Sequence, residues 1–219
     1  MADIDAAIIA ARTKLGSLDA AGVQTVLRAK IAEVEETHRQ RLIPLLEEKV
    51  AVEKLSYDHA GGKATLNQLL TLDPDRVWSR IELGRLGVNT GALDEAATAF
   101  KAALAAARRV GDERDESVAL DQIGDVLKAH GNLPEALKSF RDGLAIADRL
   151  AKADPGNAGW QVDLVVSNWK LAANGDDAAR RFTFVVATLR KLKDENRLTP
   201  AQEKWLPQAE TELAKLTPR

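Results

Sequence analysis

Histidine is the side chain best placed to ligate a metal or move a proton near neutral pH, and this 219-residue chain has three: His38, His59 and His130. None has a second histidine four residues on or a glutamate at ligand spacing, so a helix-borne metal pair has no scaffold. The chain has no cysteine, which removes thiolate zinc, thiol nucleophiles and disulfides. Gly61-Gly62-Lys63 carries the glycine–lysine step of a phosphate-binding loop. Tyr57 stands where that loop needs its first glycine, however, and Ala64 where it needs a hydroxyl. The carboxylate neighbours Glu35-Glu36, Glu47-Glu48 and Asp176-Asp177 would point to different sides of a helix and cannot face one another as an acid–base pair. No nucleophile elbow or dinucleotide fingerprint occurs. The sequence therefore predicts no catalytic residue, no cofactor and no metal site: not an enzyme.

Composition narrows the remaining classes. Thirty-one basic against 33 acidic residues, with no basic block and only 4% aromatics, give neither the electrostatic footprint nor the stacking platform for nucleic acid. No run of 18 apolar residues is present, and the first residues, Met1 to Ile9, carry acids where a signal peptide needs bases. No membrane and a cytoplasmic location are the expectations. Fourteen glycines and seven prolines are too few for many short strands, alanine and leucine dominate, and no segment alternates with period two. The elements that position any site must be helices.

Those helices repeat. A shift of 40 superposes Gly84 on Gly124, Gly91 on Gly131, Leu93 on Leu133, Glu95-Ala96 on Glu135-Ala136 and Phe100 on Phe140. It continues with Leu104-Ala105 on Leu144-Ala145, Ala107 on Ala147 and Arg109 on Arg149. The glycines at 91 and 131 suit a helix end, and Pro134 suits the first turn of the next helix. Ala96 is small where two helices would cross, with Phe100 the large knob one turn on.

This pattern resembles the tetratricopeptide repeat, a helix–turn–helix of about 34 residues. Its glycine, alanine, aromatic and small-residue positions fall on Gly84, Ala96, Phe100 and Ala103, then on Gly124, Ala136, Phe140 and Gly143. The family's usual tryptophan is replaced by Arg80 or Leu120, its tyrosine by Gly87 or Leu127 and its proline by Arg108 or Asp148. The 40-residue period looks like the longer variant of kinesin light chain and GoLoco-binding scaffolds. The resemblance implies an all-α fold, a right-handed α-solenoid of about five helical hairpins with a C-terminal capping helix, and residues 1–219 as a single array.

Fainter copies fill out that array. Gly16-Ser17-Leu18-Asp19 echoes Gly91-Ala92-Leu93-Asp94, so Asp3–Leu15 and Asp19–Gln40 read as a first hairpin (residues 3–40). A second hairpin spans 44–73. Pro44 interrupts an apolar-periodic run from Ala20 to Tyr57, and a break near Leu42-Ile43 is the cheaper solution, because an interior proline costs about 3 kcal/mol. The two strong repeats cover 76–111 and 115–153. A degenerate last hairpin covers 158–195, its turn at Asn174-Gly175 and Phe184 lying 44 residues after Phe140. Thr199-Pro200-Ala201-Gln202 reads as a capping box that opens a final helix over 200–216, with Pro207 kinking or interrupting it. Opposite charges such as Glu35 and Arg39 mark solvated faces.

The resemblance also implies where a partner would sit, because in the family a concave face lined by the first helix of each hairpin receives a peptide or helix. Its groove positions correspond to Trp78, Ile81, Arg85, Val88 and Asn89, then to Val118, Asp121, Asp125, Lys128 and Ala129. Trp169 is the corresponding residue of the last hairpin. Trp78 could instead fill the interface with the preceding hairpin. The family's carboxylate clamp is absent, and Asp121 with Asp125 would favour a basic or amide-rich ligand. The expected function is a protein-interaction module of bacterial style that binds a protein or peptide ligand. Two alternatives stay open: a regulatory or sensor segment of a larger signalling or nucleotide-hydrolysing system, and a self-assembling adaptor that forms homo-oligomers.

Overall fold

The computed structural model describes residues 20–216 together with Ile4, Ala6, Ile9, Ala10 and Thr13. The chain divides into two compact units, residues 1–72 and 73–219. Among the described residues all regular structure is helical. No described helix is long and apolar enough to cross a membrane.

In the first unit, α1 (Ala20–Leu55) runs back antiparallel to α2 (His59–Leu72) through a short turn in which Tyr57 has φ 57°. Leu46, Val50 and Glu53 of α1 are buried, as are Thr65, Leu66 and Leu69 of α2. The joint includes a small polar knot. Thr65 Oγ1 donates to Glu53 Oε1 at 3.1 Å, and Lys49 Nζ lies 2.6 Å from Thr65 Oγ1 and 2.7 Å from Glu53 Oε1.

The break expected near Leu42-Ile43 is not there: α1 continues through Pro44. Proline removes the hydrogen bond to the carbonyl four residues earlier, that of Gln40. Gln40 and Pro44 are both exposed, so water can satisfy the freed oxygen and the helix need not end. Arg39 pairs with Glu36 at 2.9 Å rather than with Glu35. Of the expected helix Asp3–Leu15 only Ile4, Ala6, Ile9, Ala10 and Thr13 are described, all helical, and the turn after it lies outside the described residues.

The second unit is an α-solenoid of stacked hairpins. These are α3 (Val77–Asn89) with α4 (Leu93–Val110), α5 (Glu113–Ala129) with α6 (Leu133–Ala153), and α7 (Ala158–Ala173) with α8 (Ala178–Asp194). A short α9 (Pro200–Glu203) leads into α10 (Trp205–Leu216), which packs on α8. Each second helix also packs on the next first helix, and the first helices α3, α5 and α7 touch one another in turn.

The three hairpin turns are built alike. Gly91, Gly131 and Gly175 have φ of 77°, 78° and 84°. The next backbone N–H bonds back to the last turn of the helix in every case: Ala92 to Gly87 O at 2.8 Å, Asn132 to Leu127 O at 2.9 Å and Asp176 to Leu171 O at 3.0 Å. Only glycine takes this left-handed conformation without a steric penalty.

Within the two strong hairpins the crossing is fixed by a glycine–phenylalanine contact. Phe100 and Phe140 are fully buried, and a β-carbon on Gly84 or Gly124 would stand 2.3 Å from the Cε1 of the facing ring. Each ring therefore lies directly on the backbone of the first helix. Serines reinforce the second hairpin: Ser139 Oγ donates to Leu120 O at 2.8 Å and Ser117 Oγ to Gly143 O at 3.0 Å.

Between successive hairpins the apolar packing is rimmed by ion pairs. Arg108 meets Glu116 at 2.8 Å, Arg114 meets Asp163 at 2.7 Å, and Arg141 Nε meets Asp176 at 2.7 Å. Arg190 of α8 meets Glu210 of α10 at 2.5 Å.

The expected capping box is formed at Thr199, with Gln202 N donating to Thr199 Oγ1 and Thr199 N donating to Gln202 Oε1. The expected interruption falls at Lys204, one turn before Pro207. Pro207 thereby sits in the first turn of α10, where a missing N–H removes no helical bond.

Candidate partner-binding face

The first helices α3, α5 and α7 lie side by side, so their outward residues form one continuous face. At the α3 end Trp78 is 48% exposed, and the Arg85 guanidinium lies over its ring, 4.7 Å from the centroid. Arg85 Nη1 also bonds Glu82 Oε1 at 2.8 Å, and Glu82 is buried. A spacing of seven residues places Trp78 and Arg85 on one side of α3, and Glu82 three residues before Arg85 completes the row. The tryptophan is thus held in solvent as the floor of a cation–π contact. Next to it on α5, burial and then Asp112 push the Asp115 carboxyl above its ordinary range, while Arg114 and Arg85 pull it back.

Two expected groove residues are not on this face. Ile81 has no exposed surface and belongs to the core cluster with Val77, Ala96, Phe100 and Ala119. Asp121, at the same place in the next hairpin, is 5% exposed. Both sit where the next first helix covers the previous one.

Asp121 Oδ2 accepts a bond from Ser167 Oγ of α7 at 3.0 Å, whereas Oδ1 is buried without a partner. Burial pushes its pKa up to about 7, against the smaller opposing pulls of the Lys170 charge and the Ser167 hydrogen bond. The expected pair of open carboxylates is absent as well, since Asp125 is bound by Lys170 of α7. The Lys170 ammonium also stands 5.5 Å from the centre of the Phe140 ring. The reason given for a basic ligand therefore does not hold. Asn89 and Lys128 are exposed near the C-terminal ends of their helices.

At the other end Trp169 is half-buried, its ring edge-on to Phe182 at 5.5 Å. With Val165, Val166, Lys170, Trp205 and Gln208 it lines an open cavity of about 280 Å3 between α7 and α10. Trp205 was not foreseen from the sequence. The signal was a second tryptophan opening the last long helix, but that helix read only as a cap. A larger cavity of about 460 Å3 lies between α6, α7 and α8, lined by Arg141, Leu144, Asn168, Arg180, Arg181 and Phe184. Its arginines are engaged: Arg141 and Arg181 with Asp176, and Arg180 with Asp177.

The elements of enzymatic chemistry do not converge on either cavity. Among the described residues no three histidine, cysteine or carboxylate side chains gather as a metal site. His130 lies 3.6 Å from Asp94, and His59 stacks edge-on to Tyr57.

Helical hairpins with this turn, this glycine–aromatic contact and adjoining first helices define a class of repeat scaffold. Residues 75–149 match the family model of the tetratricopeptide repeat, which places repeats of this kind on α3 to α6. Such repeats are scaffolds for protein–protein interaction. None of the curated proteins matches the chain. Among solved structures it is similar to BtubC (BKLC) from P. vanneervenii, with 16% identity, TM-score 0.40, and 99% of this chain and 93% of that one covered. It is also similar to MamA, with 15% identity, TM-score 0.25, and 66% of this chain and 96% of that one covered.

Proposed function

We propose that the second unit binds a segment of a partner protein along the face of α3, α5 and α7, with α10 closing one end. The observation that carries this reading is the placement of a tryptophan at each end: Trp78 under the Arg85 guanidinium, and Trp169 lining an open cavity with Trp205. Tryptophan and arginine are the residue types that concentrate binding energy at interfaces.

The cavity between Trp169 and Trp205 has room for one large apolar side chain of the partner, and the exposed Trp78 ring offers a second contact. Arg85, Asn89, Asp125 and Lys128 supply polar edges that fix the direction of the bound segment. Ile81 and Asp121 support the face from beneath.

The test is direct. A photo-crosslinking residue at Gln208 is used to identify the bound segment, and its affinity is then measured by calorimetry. Arg85→Glu and Trp205→Ala each weaken binding at least tenfold, while circular dichroism shows both chains still helical and folded at the assay temperature. An affinity unchanged from the parent chain in both variants would overturn the reading.

A further inference from the structure

The first unit carries a surface that neither its own hairpin nor the partner face uses. α2 covers one side of α1, that of Leu46, Val50 and Glu53. A different row is open: Leu27, Ile31, Val34, Leu45, Val52 and Leu55, all exposed, with Val52 at 62% and Leu55 at 82%. His38, Arg41 and Glu48 fill the gaps in that row, so the steps from 27 to 55 alternate four and three without a break. That is the heptad spacing of a coiled-coil seam, sustained over four heptads. Single apolar residues on a surface are ordinary, whereas a continuous apolar stripe along one helix points to something that covers it.

We propose that α1 pairs with α1 of a second copy of this chain as an antiparallel coiled coil, its twofold axis passing near residue 43. The charges select this arrangement. A parallel pair would stack Arg41 on Arg41 and Glu48 on Glu48 inside the seam, placing like charges together out of water. The antiparallel register centred at residue 43 sets His38 against Glu48 of the second copy. It also sets Ile31 against Leu55, Val34 against Val52, and the stem of Arg41 over Leu45. Moving the register by one heptad would instead seat Ile31 on Glu48 and His38 on Arg41. Every apolar residue from Ile31 to Leu55 gains an apolar surface only in the centred register, and each contact occurs twice by symmetry.

The experiment uses the full chain, whose lack of cysteine makes introduced thiols unambiguous. Light scattering at micromolar concentration gives twice the chain mass, and Leu45→Glu with Val52→Glu returns it to the chain mass with the chain still helical by circular dichroism. An equimolar mixture of Val34→Cys and Val52→Cys chains, oxidised, gives the mixed covalent dimer. Val34→Cys alone gives none, because in this register its own counterpart is about 27 Å away along the helix. A monomer at all concentrations overturns the proposal, and so does self-linking of Val34→Cys, which would mark parallel pairing. An Leu45→Glu, Val52→Glu chain that melts earlier with no change in mass also overturns it, since the row would then be covered from within the chain.

Discussion

The α5/α6 hairpin and the α7/α8 hairpin share a turn to within a few degrees of φ and diverge one helical turn away. In α5/α6 the crossing is dry: Gly124 gives up its side chain so that Phe140 can lie on the helix backbone. Counting back from the shared turns, Asn168 occupies the place of Gly124. Its side chain fills the space, donating to Leu164 O at 2.9 Å and accepting from Arg181 Nη1 at 3.0 Å. Phe184, the counterpart of Phe140 in sequence, is displaced outward and is 38% exposed, while Phe182 packs inward against Trp169. One substitution at the crossing therefore exchanges an apolar contact for a polar chain that runs from Asn168 through Arg181 and Asp176 to Arg141. It also frees an aromatic to support the Trp169–Trp205 cavity. The repeat turn and the repeat core are separable: the first fixes that two helices pair, the second fixes what their shared face presents.

The sharpest way to break this contrast is to delete the dry crossing. Phe140→Ala loses about 3–5 kcal/mol in urea unfolding, the range for a fully buried aromatic, whereas Phe184→Ala loses about 1 kcal/mol because its ring is only partly covered. Equal losses would mean that the two phenylalanines are equivalent after all.

A smaller effect comes from crowding the same site. Gly124→Ala puts a methyl 2.3 Å from the Phe140 ring and costs about 1–3 kcal/mol by overpacking. Adding Phe140→Leu to Gly124→Ala recovers part of that loss, a non-additivity that the double-mutant cycle reads directly. On the polar side, Asn168→Ala leaves Arg181 one acceptor short and costs about 1–2 kcal/mol.

A further effect is a slope with pH rather than a step. Asp121 holds its proton in the folded chain up to about pH 7, whereas the unfolded chain loses it near about pH 4. The folded state binds more protons between those values, so stability falls as pH rises through that window. Asp121→Asn keeps an acceptor for Ser167 without the charge, and urea midpoints at pH 5 and pH 8 should then differ less than in the parent chain.

Much of this was legible because it is local. The αL glycines, the glycine–phenylalanine pairs, the turn at Asn174-Gly175 and the capping box at Thr199 each rest on a few adjacent residues with one good solution. What escaped depends on neighbours distant in sequence. Position within a repeat says which way Ile81 and Asp121 point but not that the next first helix covers them. Lys170 neutralises Asp125 from 45 residues away. Pro44 reads as a helix end by propensity, yet solvent at Gln40 removes the reason to stop. Trp205 acquires meaning only when α10 folds back beside α7.

The ion pairs on the rim between hairpins have a mechanical consequence. Glycine–aromatic contacts clamp the helices within a repeat and are indifferent to ionic strength, but exposed arginine–carboxylate links at the joints are screened over about 8 Å in physiological salt. Dissolved electrolyte therefore weakens only the rim of each joint, by well under about 1 kcal/mol per link. The apolar packing beneath, such as Ala103 and Ala107 against Ala119, keeps neighbouring repeats together in any salt.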